Sequence, residues 1–342
     1  MNKKKFIAFD HDQLSTWRSI ILIGDNDKCY KFALGKSLLH FSNLQKTEIP
    51  FEDFIDVYTS EICNHLKKAP VQGSNRKPNG KVINSCISYN KNEISKDKLI
   101  ETIKKDEWVV FKKFHLIKGG YVDFKYFDVK KILKNKKIIL TDDMLKLKDN
   151  YQFNNLVHET DGRWNLLERS WELKIPEKLL LVESDVSSEK LFVRSKNRRL
   201  NITGSRKGLN GYHNGKCFYC NKNISIKSNQ SDTSDVDHFF PLVLEERGIL
   251  KNLNGVWNLV LACKSCNRGS GGKFDRLADL VFLEKLEIRN NNLILSHDPL
   301  RQTLMMQTGK SSLARNKFLN SNFYKATEFM IHSNWKPRII YE

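Results

Sequence analysis

Cys217-Phe218-Tyr219-Cys220 and Cys263-Lys264-Ser265-Cys266-Asn267 bracket the stretch whose reading decides the fold. Between them lie Asp235-Val236-Asp237-His238-Phe239-Phe240-Pro241 and Gly255-Val256-Trp257-Asn258-Leu259-Val260-Leu261-Ala262. Two Cys-x2-Cys pairs separated by 42 residues supply four soft thiolates, the set that tetrahedral zinc takes in structural sites. With four protein ligands the ion keeps no open position, so Cys217, Cys220, Cys263 and Cys266 read as ligands of a structural Zn2+. In small zinc peptides such binding contributes about 10–16 kcal/mol to folding. Loss of one cysteine is therefore expected to unfold the local unit. Inside the clamp, an Asp-His step and an asparagine just past the last cysteine are the parts of a metal-assisted hydrolase.

Cys-x2-Cys, Asp-His-x2-Pro, Trp-Asn-Leu-Val-Leu-Ala-Cys-x2-Cys-Asn and Gly-Gly-Lys follow one another within residues 205–290. In this order they resemble the HNH endonucleases that carry a four-cysteine zinc site. A looser likeness to bacterial HNH proteins of restriction or defence type is carried by Arg268-Gly269-Ser270-Gly271-Gly272-Lys273-Phe274-Asp275 and Ser296-His297-Asp298-Pro299-Leu300. The resemblance implies a ββα-metal core: a hairpin whose first strand carries Asp237-His238 and whose second carries Leu259-Val260-Leu261, then a short helix bearing Asn267. It implies Asp237 and Asn267 as hard oxygen ligands of one catalytic Mg2+ or Mn2+, the ligand types such ions prefer. His238 is then the general base and Asn258 the amide that braces the loop between the strands and orients the histidine. Asn267 replaces the final histidine of the triplet, giving a His-Asn-Asn pattern. Arg268 and Lys273 are expected at the scissile phosphate.

The residue chemistry fits these roles. A neutral imidazole with a reference pKa of ~6.5 is suited to taking a proton from water, and such a base typically contributes about 10²–10⁴-fold in rate. Strand neighbours point to opposite sides, so one of Asp237 and His238 can face the metal while the other faces the attacking water. Asp235, two residues earlier and on the same strand face as Asp237, is an alternative ligand. Asp275 reads as the cap of a helix beginning near Arg276, with Leu277, Leu280 and Val281 on one face.

The chain of 342 residues is long enough for two domains. A soft boundary near residue 176 divides an amino-terminal α+β domain (1–175), given a recognition or regulatory role, from the nuclease domain (176–342) with its core at 205–290 and a helical carboxyl-terminal tail. The fold class is α+β. Lys and Arg total 58 against 39 Asp and Glu, a net charge of +19 that favours a polyanionic partner, DNA foremost. Between Arg194 and Lys216 seven basic residues occur with no acidic one. Of these, Arg198, Arg199, Arg206 and Lys207 are expected to bind the nucleic-acid backbone in a salt-dependent, sequence-independent way.

Cys29, Cys63 and Cys86 are scattered and odd in number, which argues against a secreted disulfide framework and for a reducing cytoplasm. No apolar run reaches membrane-spanning length, and the apolar stretch after Lys3-Lys4-Lys5 is too short for a signal peptide. One HNH core cuts one strand at a time, so double-strand cleavage calls for a homodimer or sequential nicks. Two alternatives stand beside the nuclease: a non-catalytic zinc module that binds nucleic acid, and a nuclease subunit activated by a protein partner in a defence complex.

The first 175 residues offer helical stripes but no catalytic constellation. Tyr30, Leu34, Leu38 and Phe41 form one, with Asp25–Asp27 as its cap; Phe51, Phe54, Ile55, Tyr58, Ile62 and Leu66 form another after Pro50. Gly35-Lys36-Ser37 imitates a phosphate-binding loop, but Tyr30 stands where that motif needs glycine. Residues 67–81 read as a basic loop and Leu99–Lys105 as a helix. Trp108–Phe111 and Tyr121–Phe127 read as strands joined across Gly119-Gly120, and Lys130–Leu147 as an exposed lysine-rich face. Trp164, Leu167, Trp171 and Leu173 mark a helix ended by Pro176. Beyond it, Leu179–Val182 and Lys190–Val193 read as a hairpin, 204–212 as a helix leading into the knuckle, and Ser312–Met330 as a helix.

Overall fold

The computed structural model describes residues 12–24, 26–74, 80–106, 108–117, 120–128, 137–175, 180–185, 188–195, 198–227, 230–295, 300–331 and 334–341. The chain divides into two compact units, Phe9–Pro176 and Glu177–Glu342. Both mix helices with small antiparallel sheets, an α+β architecture. No helix among the described residues is long and apolar enough to cross a membrane.

The amino-terminal unit contains α1 (Gln13–Arg18), extended by a π-helical turn to Ile23, then α2 (Tyr30–Asn43), β1 (Glu48–Pro50), α3 (Phe51–Leu66), α4 (Lys81–Asn90), α5 (Lys96–Asp106) and α6 (Trp108–Lys113). It continues with β2 (Leu116–Ile117), β3 (Gly120–Tyr121), β4 (Lys137–Ile139), α7 (Asp142–Lys148) and α8 (Phe153–Glu172). Helix α3 starts directly after Pro50, whose φ of −52° suits a helix entry, and Glu52 and Asp53 complement the dipole of its first turn. It buries Phe51, Phe54, Ile55, Tyr58, Ile62 and Leu66, one continuous stripe. The unit also buries polar groups in pairs. Arg18 donates to Glu159 at 2.9 and 2.7 Å. His65 stacks on Trp164 at 3.5 Å and bonds Glu168 at 2.7 Å.

Several local expectations change here. Trp108–Phe111 is helical, because a four-residue apolar run fits a buried helix turn as well as a strand and Phe111 packs between Phe54, Tyr58 and Phe127. The strand expected over Tyr121–Phe127 shrinks to Gly120–Tyr121, paired with Leu116–Ile117. Residues 129–136 lie outside the described residues. Helix α2 is entered from Cys29 without a side-chain cap, and Asp25 lies outside the description. Gly35-Lys36-Ser37 sits in the middle of α2, where Lys36 Nζ pairs with Glu61 at 2.5 Å and Asp161 at 2.8 Å.

The carboxyl-terminal unit opens with β5 (Glu183–Asp185), β6 (Lys190–Ser195) and β7 (Arg198–Gly204), an antiparallel sheet in the order β5-β6-β7. The basic block lies mostly on strand β7 and helix α9 (Ser205–Leu209), the latter within the helix expected over 204–212, and the first hairpin strand lies at 183–185 rather than 179–182. A 3-10 turn, Asn210–His213, follows, and Asn214 and Gly215 then take left-handed conformations (φ 51° and 63°) that turn the chain into the first knuckle. Strands β8 (Asp235–His238) and β9 (Leu259–Ala262) pair antiparallel, with Asp235 opposite Ala262 and His238 opposite Leu259. Helix α10 (Val243–Glu246) lies in the connection, and α11 (Lys264–Asn267) follows β9 directly.

Helices α12 (Leu280–Leu295), α13 (Arg301–Thr308) and α14 (Ser312–Phe329) complete the unit. Helix α12 begins later than the Asp275 cap implied. Ala278 is held in a bridge with Trp335, Arg276 turns back onto the Lys273 carbonyl, and Asp279 Oδ1 accepts from Val281 N–H at 3.1 Å. Ser296–Pro299 lie outside the described residues.

Candidate functional site

The zinc clamp is assembled by backbone geometry at two turns. In the first, Asn221 N–H donates to Cys217 O (3.1 Å) and Cys217 N–H to Lys222 O (2.8 Å), the tight return that a Cys-x2-Cys knuckle needs. In the second, Cys263 is the N-cap residue of α11 and Cys266 lies within it, so one short helical turn presents both thiols. Phe218 N–H donates to Leu261 O at 2.8 Å and joins the first knuckle to β9. All four cysteines are buried, and their sulfurs lie within 4.8 Å of one another, with Cys220 and Cys263 Sγ 3.7 Å apart. Zn–S bonds of ~2.3 Å set tetrahedral sulfurs ~3.8 Å apart, so the cluster fits a structural zinc ion. Burial pushes the Cys217 thiol well above its usual range, a desolvation cost that a bound cation offsets.

Helix α12 braces this clamp with two buried cations. Lys285 Nζ donates to Phe218 O and to Asn221 Oδ1 (2.9 Å). Burial draws its pKa down to about 7 against the opposing influence of the cysteines. Arg289, fully buried, donates to the carbonyls of Leu259 (2.8 Å), Trp257 (3.2 Å) and Val256 (3.4 Å), and burial brings its guanidinium down to about 9. Neither residue stood out in the sequence. Their signal was nevertheless present: Phe282, Lys285, Leu286, Arg289 and Leu293 share one helical face, and a cation at a core-facing position needs a partner inside.

Strand β8 alternates as expected for a half-buried strand, with Asp235 and Asp237 buried on one face and Val236 and His238 partly exposed on the other. Asn267 is brought to Asp235, its Nδ2 donating to Oδ2 at 3.1 Å. Arg268, 61% exposed, closes on the same carboxylate, with Nε 3.0 Å from Oδ2 and Nη2 3.2 Å from Oδ1. Asp237 is held by other groups: Tyr219 Oη donates to Oδ2 at 2.6 Å, and Lys273 Nζ lies 3.3 Å from Oδ2 and 3.4 Å from Oδ1. Asn267 thus bonds Asp235, the carboxylate read as the alternative ligand, in this arrangement. The alternation of β8 puts both carboxylates on one face, and α11 delivers Asn267 to the nearer one.

Lys273, expected at a phosphate, is 0% exposed and also donates to His238 O (2.8 Å) and Phe274 O (3.4 Å). It is an internal counter-charge. The loop carrying it folds tightly: a Cβ on Gly269 would come within 2.8 Å of Ser265 Cα, and one on Gly272 within 2.8 Å of Gly269 O. Trp335, from the chain's final segment, donates its indole N–H to Gly271 O (2.8 Å) and packs edge-on against Tyr219 at 5.1 Å.

His238 Nε2 is buried and has no hydrogen-bond partner among the described residues. Burial holds the imidazole below its usual range; the Asp237 charge opposes this, the Lys273 charge reinforces it, and a hydrogen bond with Asn254 opposes it. Burial thus favours the neutral ring. Asn258 is fully buried at the other end of the hairpin connection. Its Oδ1 accepts from Phe240 N–H (2.8 Å), and its Nδ2 donates to Phe240 O (3.0 Å) and Leu253 O (2.9 Å), fixing the chain two residues beyond His238. Of the basic block, Arg206 pairs with Glu189 at 2.5 Å and Lys207 is half-buried in α9. The side chains of Arg198 and Arg199 lie outside the described residues. No protein-family model matches the chain, and neither the curated proteins nor the solved structures hold a match to it.

Proposed function

We propose that the carboxyl-terminal unit is a zinc-stapled module that engages nucleic acid and hydrolyses its phosphodiester backbone with the help of a divalent ion, the chemistry of the HNH pattern that its sequence resembles. One observation carries this reading: the zinc-fit cysteine clamp holds Asp235, Asp237 and the amide of Asn267 on one side of β8, with the imidazole of His238 next in the chain. Asp235, Asp237 and Asn267 offer hard oxygen donors of the kind Mg2+ or Mn2+ accepts. When bound there, such an ion supplies charge stabilisation for a phosphoryl group and its departing oxygen.

In this reading His238 takes the proton of the attacking water through Nε2, and Asn258 keeps the His238–Phe240 turn in place. Arg268 is the exposed cation that can leave Asp235 for a phosphate. The net charge of +19 favours a polyanion as the partner, with DNA the first substrate to test.

A second reading, a zinc module that binds nucleic acid without cutting it, is favoured by a specific observation. Each carboxylate is already matched by a cation, Asp235 by Arg268 and Asp237 by Lys273, and His238 Nε2 is buried, so the arrangement is complete without a divalent ion. Incubation of the zinc-loaded chain with supercoiled plasmid in Mg2+ or Mn2+, beside His238→Ala and a gel-shift on the same DNA, separates the two. Nicking that needs the divalent ion and is lost in the variant supports hydrolysis. Retarded but uncut DNA supports the second reading, and DNA neither bound nor cut removes both.

A further inference from the structure

Phe274 stands in a backbone conformation that its side chain disfavours. Its φ is 48°, in the left-handed region that glycine adopts freely and a bulky residue does not. It is the one aromatic with such a backbone among the described residues, and its ring is 54% exposed, so burial does not offset the strain. The surrounding loop holds the conformation in place. Phe274 N–H donates to Asn267 O (2.9 Å), Lys273 N–H to Cys266 O (2.6 Å), and the Trp335 indole and the Arg276 guanidinium take the carbonyls of Gly271 and Gly272. Two exposed arginines border the same loop. Arg268 begins it, and Arg338 lays its guanidinium over Gly271, with Nε and Nη2 3.2 Å from where a Cβ would stand. Arg338 has no carboxylate partner among the described residues. The final segment that carries it is tied down on both sides, by Trp335 N–H to Leu277 O (3.0 Å) and Tyr341 N–H to Cys220 O (2.7 Å).

On the nucleic-acid engagement that both readings above share, we infer that Phe274 is a stacking platform for an unpaired base of single-stranded DNA, with Arg268 and Arg338 taking the neighbouring phosphates. A strained loop position that kept its residue for backbone reasons would carry glycine or asparagine; a ring held there and left in solvent is kept for its face. Cations beside an open aromatic face match a strand that carries one anion and one π-surface per nucleotide. Bases inside a duplex are stacked on their neighbours on both faces, so the platform selects for unpaired ones. Removal of such a ring typically weakens binding by about 5- to 150-fold, and the phosphate contacts add a salt-dependent part that is blind to sequence. No divalent ion enters this contact, so it holds whether or not the bound strand is cut.

The test is fluorescence anisotropy with the full zinc-loaded chain, a labelled oligo(dT) strand and a labelled duplex of equal length, over a range of salt and without added divalent metal. Phe274→Ala is expected to weaken binding of the single strand about tenfold and of the duplex by less than about twofold, while Phe274→Tyr keeps the parent's affinity. Phe274→Gly separates binding from folding. It should bind the strand as weakly as the alanine variant yet unfold at the same or a higher urea concentration, because glycine accepts the left-handed backbone. Arg338→Ala should flatten the slope of log affinity against log salt by about 0.7 on the single strand, and an unchanged slope removes Arg338 from the contact. Equal affinity of Phe274→Ala and the parent for the strand overturns the inference. So does an equal loss on strand and duplex, or a glycine variant that unfolds at lower urea and loses zinc. If the parent binds the duplex and not the strand, the inference alone fails; if it binds neither, the nucleic-acid reading fails with it.

Discussion

Replacement of Asn258 tests the polar frame of the hairpin most directly. The side chain is fully buried and makes three hydrogen bonds to main-chain groups of Phe240 and Leu253, residues that are themselves fully buried. A typical bond contributes about 1 kcal/mol net, and a buried group left unpaired costs about 1–3 kcal/mol. Asn258→Ala strands one N–H and two carbonyls, and carbonyls tolerate this better than an N–H. The expected loss for the carboxyl-terminal unit is about 3–5 kcal/mol. Asn258→Asp keeps an acceptor for Phe240 N–H but sets a carboxylate against two carbonyl oxygens, so it is expected to cost at least as much despite its closer shape. Urea unfolding followed by zinc release to a chelating dye reads this unit alone, since all four thiols lie within it. An alanine variant within about 1 kcal/mol of the parent, or an aspartate variant milder than alanine, would refute the hydrogen-bond reasoning.

One zinc ion per chain is expected by metal analysis, and Cys263→Ser or a strong chelator should abolish the near-ultraviolet signal of the carboxyl-terminal unit, because metal binding of this type is folding free energy. Lys273→Met leaves Asp237 buried without its cation and should cost about 3–5 kcal/mol, whereas adding Asp237→Asn should restore part of the loss in a double-mutant cycle; purely additive effects would count against the pair. In the amino-terminal unit, burial, aided by the Lys125 charge and opposed by that of Asp143, holds His115 down at about 4. Its unfolded reference is ~6.5, so the unfolded chain binds more protons between those values, and stability falls as pH drops from ~6.5 to ~4 by roughly 3 kcal/mol. His115→Gln should flatten that part of the stability–pH curve, and an unchanged slope would contradict the burial argument.

Much of the candidate site was legible from residue order because its determinants are local or periodic. Two Cys-x2-Cys pairs announce a shared ion whatever the rest of the chain does, since knuckle spacing and thiolate chemistry suffice. The stripes at 51–66 and 312–329 are helices in the structure because periodic apolar spacing survives packing. Alternation along Asp235–His238 likewise placed two carboxylates on one face. Short apolar runs such as Trp108–Phe111 were open to either reading, since four residues cannot separate a period of 2 from one of 3.6.

Long-range side-chain pairings are what tertiary structure alone decided. Alternation cannot say which of two aspartates on one face meets Asn267, and α11 selects Asp235 by bringing the amide alongside it. Nor can composition distinguish a lysine that greets a phosphate from one buried as a counter-charge; Lys273 is the second kind because the glycines of its loop let the backbone fold back onto Cys266. Tyr219, Lys285, Arg289 and Trp335 reach their partners across 18 to 67 residues of sequence. Such contacts depend on where the metal clamp and α12 bring distant segments together, and a one-dimensional pattern carries no distance information of that kind.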